Sequence, residues 1–182
     1  VLAMSTENTA GGTGRVTTVA ELLAHALAME TDAAERYGEL ADQMEMHRKK
    51  GVAAIFRRLE HAERAHLEEL TRRCAGLELP HYAPWEFQWS ASEAPETIAI
   101  ERVHYQLSVR EAVALALEHE RRATAFFSDV AASGAPADVA ALATEFAQEE
   151  REHIQWLEEC LAREESTPDA SIEDPDPPLC QE

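Results

Sequence analysis

Two pairs of side chains in this sequence stand at the spacing a metal ion requires. Glu63 and His66 are three residues apart, and so are Glu150 and His153. On a helix that spacing puts a carboxylate and an imidazole on one face, about one turn apart, where they can share a bound cation. Both pairs interrupt apolar stripes of helical period. One stripe runs Val52, Phe56, Leu59, Glu63, His66, Leu70; the other runs Val139, Ala143, Phe146, Glu150, His153, Leu157. A carboxylate that faces a core needs a partner, because an unpaired buried charge is costly enough that the group neutralises instead.

Two more glutamates sit on stripes of the same kind. Glu30 lies in the series Leu23, Leu27, Glu30, Ala34, Tyr37, Ala41, Met44, and Glu120 in the series Val109, Val113, Ala116, Glu120, Thr124, Phe127, Ala131. Glu118 lies on a stripe with Glu111, Leu115, Arg121 or Arg122, Ala125 and Asp129, which does not look like a core face, so Glu120 is read as the inward glutamate. A Glu-x-x-His pair alone is a weak signal. Glu78/His81 and Glu101/His104 also match it, but Pro80 lies inside the former and no long stripe carries the latter. The force of the pattern is that six metal-seeking groups fall near the middle of four separate helices. Four carboxylates and two neutral imidazoles carry four negative charges, which two divalent cations cancel, and one imidazole per metal with shared carboxylates suits iron or manganese.

The elements that must position these groups are legible from their ends. Thr18-Val19-Ala20-Glu21 is a capping box that opens a helix reaching about Lys49. Gly51 is read as marking a tight connection, and a second helix follows from about Val52 to Cys74, stopped by Ala75-Gly76 and Pro80. Ser108-Val109-Arg110-Glu111 is a second capping box, and its helix ends near Ser133-Gly134. Pro136 starts the fourth helix, which runs to about Glu165. Between the second and third helices, residues 77–107 hold Pro80, Pro84, Pro95, Tyr82, Trp85, Phe87 and Trp89. This stretch is read as a crossover along the bundle, with a short helix near 96–104 and its aromatics serving as a hydrophobic cover or a binding cage. The expected fold is all-α: an antiparallel four-helix bundle over 16–165 with one long crossover. Residues 1–15 form a disordered N-terminal segment and 166–182 a flexible C-terminal tail.

Composition narrows the function. A chain of 182 residues is long enough for one well-buried core. No apolar run approaches the roughly 20 residues of a membrane span, and residues 1–15 lack the basic end and apolar block of a secretory signal. The 35 acidic against 16 basic residues argue against a nucleic-acid partner; the acidic excess is either a solvated surface or, in part, a set of cation-holding groups. Cys74, Cys160 and Cys180 are isolated, with no CxxC, which argues against a disulfide scaffold or zinc ribbon and points to a reducing, cytoplasmic setting.

At these residues the chain resembles the rubrerythrin branch of the ferritin-like superfamily. The matching pieces are Glu30 to Tyr37, Glu63 to His66, Glu120 to Phe127 and Glu150 to His153, and the first and third repeat each other, each a Glu followed seven residues later by an aromatic. Short, long and short connections match that topology too. The resemblance implies a ferritin-like bundle in which Glu63 and Glu150 bridge two iron ions (Mn or Zn as substitutes). It makes Glu30 and Glu120 terminal ligands, gives His66 and His153 one metal each, and places the Tyr37 hydroxyl near the ligands; an ordinary core aromatic is the other reading of Tyr37. Two departures matter: no rubredoxin-type CxxC supplies a built-in electron donor, and Ala123 stands one turn after Glu120 where peroxidase-type relatives place a further carboxylate.

The implied activity is a di-iron oxidoreductase that reacts with O2 or H2O2 and draws on an external electron donor, in an assembly of two identical chains. The rivals are an iron-storage ferroxidase or iron-handling protein, a hydroxylase, and a helical module without catalysis. His25, His47, His61, His81, His104 and His119 are read as surface groups or as neighbours standing behind the ligands.

Overall fold

Both capping boxes form as their sequences predict. Thr18 Oγ1 accepts from Glu21 N at 3.1 Å while Glu21 Oε2 accepts from Thr18 N at 3.0 Å, and Ser108 and Glu111 exchange the same pair of bonds. They satisfy amide donors that a helix start otherwise leaves unpaired. The computed structural model describes residues 16–83, 87 and 107–166. It holds four helices: α1 (Val19–Met46), α2 (Lys50–Cys74), α3 (Val109–Ala132) and α4 (Ala137–Ser166), with no strand among the described residues. The expected short helix at 96–104, Trp85, Trp89, His104, Cys180, residues 1–15 and the tail beyond 166 lie outside the described residues.

The turns make two antiparallel hairpins, α1 on α2 and α3 on α4, which then close into an all-α four-helix bundle. Gly51 is not the connection. It lies in the first turn of α2, and the reversal is made by Arg48 at φ 59°, with Lys49 N donating to Met44 O at 2.9 Å. Gly51 serves a different purpose: a Cβ there would come within 3.3 Å of Val109 Cγ2, so its small size lets the start of α3 approach α2. Gly76 and Gly134 do adopt positive φ where α2 and α3 end, as the sequence predicts.

The core divides into two apolar clusters. Tyr37, Met44, Phe56, Leu59, Val113 and Leu157 belong to one; Leu22, Met29, Leu70, Phe127, Val139 and Phe146 belong to the other. Every helix passes from one cluster to the other, and it does so at Glu30, at Glu63, at Glu120 and at Glu150. A polar layer therefore crosses the middle of the bundle, enclosed by apolar packing at both ends.

Candidate metal centre

All six predicted groups meet in that layer. His153 Nδ1 lies 3.1 Å from Glu63 Oε1, 3.1 Å from Glu120 Oε2 and 3.6 Å from Glu150 Oε2. His66 Nδ1 lies 3.2 Å from Glu63 Oε2 and 3.5 Å from Glu30 Oε2. The two imidazoles stack, with centroids 5.0 Å apart and planes 11° from parallel. Glu63 thus offers one oxygen to each histidine. Three sets of ligand atoms lie within 4.8 Å of one another: Glu63-His66-His153, Glu30-His66-Glu150 and Glu120-Glu150-His153. Glu150, His66 and His153 each belong to two of them, and Glu63 to one.

Burial and crowding shift the ionisation of Glu30, Glu63, His66, Glu120 and His153. Burial pushes the Glu30 carboxyl well above the usual range, and the charges of Glu63 and Glu150 push it further. Burial likewise pushes Glu120 up to about 8, against a hydrogen bond from His153. Glu63 is as deeply buried, but the charge of His153 and the closeness of both imidazoles hold it well below the usual carboxylate range. Burial opposes charge on His66, yet the Glu30 and Glu63 carboxylates outweigh it and carry the imidazole up to about 11; His153 is raised as well, by the same competition. Without a metal the layer borrows protons to offset its crowded carboxylates.

The donor set fits a pair of cations on a direct observation. Glu30 Oε2, both oxygens of Glu63, His66 Nδ1 and Glu150 Oε2 are buried and have no hydrogen-bond partner among the described residues. Buried polar atoms without partners are rare in native proteins and call for an ion or water. Five of them around one centre, all carboxylate oxygens or imidazole nitrogen, are the ligand chemistry of iron, manganese or zinc.

Other residues qualify the sequence reading. The Tyr37 hydroxyl donates to Glu120 Oε1 at 2.5 Å, so it does reach a site carboxylate while its ring packs on Phe56. Ala123 is buried in the apolar cluster, and α3 brings no second carboxylate to the layer; Glu118 is exposed. His47, His61 and His81 are exposed as expected, but His25 and His119 are fully buried, so they are not surface groups. His25 stacks on Phe126 at 5.8 Å under Tyr82 and Phe87, while its Nδ1 pairs with Glu21 O at 2.8 Å; these two aromatics act as a cover. His119 packs 5.9 Å from the Tyr37 ring. A second stripe would have located both: Leu22, His25, Met29 on α1 and Ala112, Leu115, His119 on α3. Glu60 also escaped notice, although Arg57 and Arg64, three before and four after it, both ion-pair with it at 2.7 and 2.9 Å. It nests against Gly38, where a Cβ would stand 3.0 Å from Glu60 Oε1.

Among the described residues, no helix is long and apolar enough to cross a membrane. No curated protein matches the chain. The crystal structure of an uncharacterised conserved protein from Magnetospirillum magnetotacticum MS-1 is similar to it at 36% identity and a TM-score of 0.66, covering 85% of this chain and 99% of that one. The rubrerythrin family model matches residues 21–161, which hold all six groups of the polar layer. The chain therefore belongs to the rubrerythrin family.

Proposed function

We propose that this protein is a di-iron oxidoreductase that reduces O2 or H2O2 with electrons from an external donor. The observation that carries the reading is the set of five buried ligand atoms without hydrogen-bond partners, supplied by α1, α2 and α4, with Glu120 of α3 completing the layer. Glu30 and His66 would hold one iron, Glu120 and His153 the other, and Glu63 and Glu150 would be shared. Bound there, an iron pair supplies two electrons per turnover, which with two protons convert H2O2 to two waters. The chain itself supplies the rest. Its two apolar clusters keep bulk water from the layer, its carboxylates set the charge, and Tyr37 fixes the orientation of Glu120. The protons that His66 and His153 hold before loading leave as metal arrives.

Anaerobic loading with Fe(II), followed by air or peroxide, tests this. The expected result is two irons per chain and a near-UV charge-transfer band that grows with oxidation. Failure to bind iron would defeat the proposal, as would an unchanged band in Glu63→Ala and His153→Ala. A second reading treats Fe(II) as the substrate of an iron-handling protein; the partial exposure of His66 beside further carboxylates favours it. Iron counted per native assembly separates the two, since storage exceeds two per chain and a dimeric oxidoreductase does not.

A further inference from the structure

We propose that a third, transient site for a divalent cation lies beside His66, with Glu149 and Glu69 as outer ligands and Glu30 as the inner one. This rests on the reading of the polar layer as a metal pair and assigns the route by which the pair is filled. A cavity of about 20 Å³ is lined by Glu30, His66, Glu69, Leu70, Phe146 and Glu149. That is room for one water-sized occupant.

The lining runs from solvent to the metal layer. The Glu69 side chain is 44% exposed, Glu149 is partly buried, and the Glu30 side chain is only 5% exposed. Glu30 Oε2 accepts no hydrogen bond among the described residues; His66 Nδ1 lies 3.5 Å from it. Glu149 likewise makes no hydrogen bond or ion pair among the described residues, whereas its neighbours are engaged. Arg73 holds Glu69 Oε1 at 2.9 Å and Glu145 at 2.6 Å, Arg72 holds Glu69 Oε2 at 2.6 Å, and the Arg73 guanidinium lies 5.9 Å from the centre of the Phe146 ring. An unengaged carboxylate above a buried unpaired one gives a hydrated cation successive oxygens to exchange for its waters. Arg73 adjoins the lining residues Glu69 and Phe146 as the opposing charge, so a cation must draw Glu69 away from Arg73 and Arg72.

Stopped-flow mixing of metal-free full-length protein with Co(II), read by cobalt absorbance, tests the route, with bound cobalt counted after equilibration. Glu149→Gln is expected to slow loading about tenfold, the scale at which local charge governs association, while two cobalt ions still bind. Arg73→Gln, which removes charge of the opposite sign, is expected to speed it. Glu152→Gln, an exposed carboxylate on the same helix, controls for net charge and should leave the rate unchanged. Loading of Glu149→Gln at the wild-type rate, or slowing matched by Glu152→Gln, overturns the route while leaving the metal pair intact. If Glu149→Gln does not fold, unchanged or slower loading by Arg73→Gln overturns it instead. Wild-type protein that takes up no cobalt fails at the earlier step, the metal pair itself.

Discussion

The two halves of the polar layer are built on one backbone plan and finished differently. In each, a glutamate on an odd-numbered helix faces a histidine on an even-numbered one, and an aromatic follows the glutamate by seven residues. After Glu30 that aromatic is Tyr37, whose hydroxyl crosses the bundle to hold Glu120. After Glu120 it is Phe127, which has no hydroxyl to return and packs against Phe126 and Phe146. So Glu120 is fixed and Glu30 is not. Exposure follows the same division: His66 is 21% exposed and adjoins a cavity, while His153 is 12% exposed. Near-symmetry of the main chain thus yields one held half and one open half, and the Tyr37 hydroxyl accounts for the hold on Glu120.

The harshest way to break this comparison is to remove what the halves share. Glu63→Ala takes an oxygen from each histidine at once, so Mn(II) retained in equilibrium dialysis should fall from two per chain to none. The metal-free variant should also lose about 3–5 kcal/mol in denaturant unfolding, because the paired imidazoles lose their common counter-ion. Retention of both ions would mean that Glu63 is not shared.

Removing one imidazole at a time sharpens the contrast. His66→Ala should empty the open half and leave one ion in the held half, whereas His153→Ala should release more, since Glu120 then loses its imidazole and Glu30 remains unfixed. Equal losses from the two variants, read as metal per chain, would show that the halves are equivalent.

Protons give a third handle, and the sign is fixed by the direction of the shifts. In the folded metal-free protein Glu120 is raised from 4.5 to about 8 and His66 from 6.5 to about 11. The stabilisation these groups contribute is therefore complete below their unfolded values and is lost as pH rises through the folded ones. Metal-free protein should accordingly melt at lower temperature at about pH 9 than at about pH 6, while metal affinity rises over that window as protons cease to compete. Titration calorimetry in buffers of different ionisation enthalpy should show proton release on binding; heats that do not depend on the buffer would contradict it.

The gentlest change is Tyr37→Phe. Loss of a buried hydrogen bond to a carboxylate should weaken the held half by about 1–3 kcal/mol and narrow the difference between the halves. An effect confined to the open half would reverse the assignment of Tyr37.

The six groups were readable before any fold was known because a charged residue on an apolar stripe is an anomaly of local origin. Helical period alone says that Glu30, Glu63, Glu120 and Glu150 face inward, and the cost of burying them bare says that something else must be present. The second buried stripes of α1 and α3 were missed, and with them His25 and His119, because a helix in the middle of a bundle packs on more than one neighbour and its apolar arc is wider than one row. The reversal at Arg48 was missed for a related reason: Gly51 is the expected residue for positive φ, yet here its lack of a side chain serves the approach of α3.

Sequence by itself determined four helices, their capped starts, the two Glu-x-x-His pairs and the inward direction of six ligand-type groups, because all of these depend on residues within a few turns of one another. Tertiary structure alone decided that Glu63 divides its oxygens between His66 and His153, that Tyr37 serves the glutamate of another helix, that Glu60 fits against Gly38, and that the His66 half adjoins a carboxylate-lined cavity. Those are distances between helices, set by how side chains from distant parts of the chain interlock, and no periodicity within a single helix encodes them.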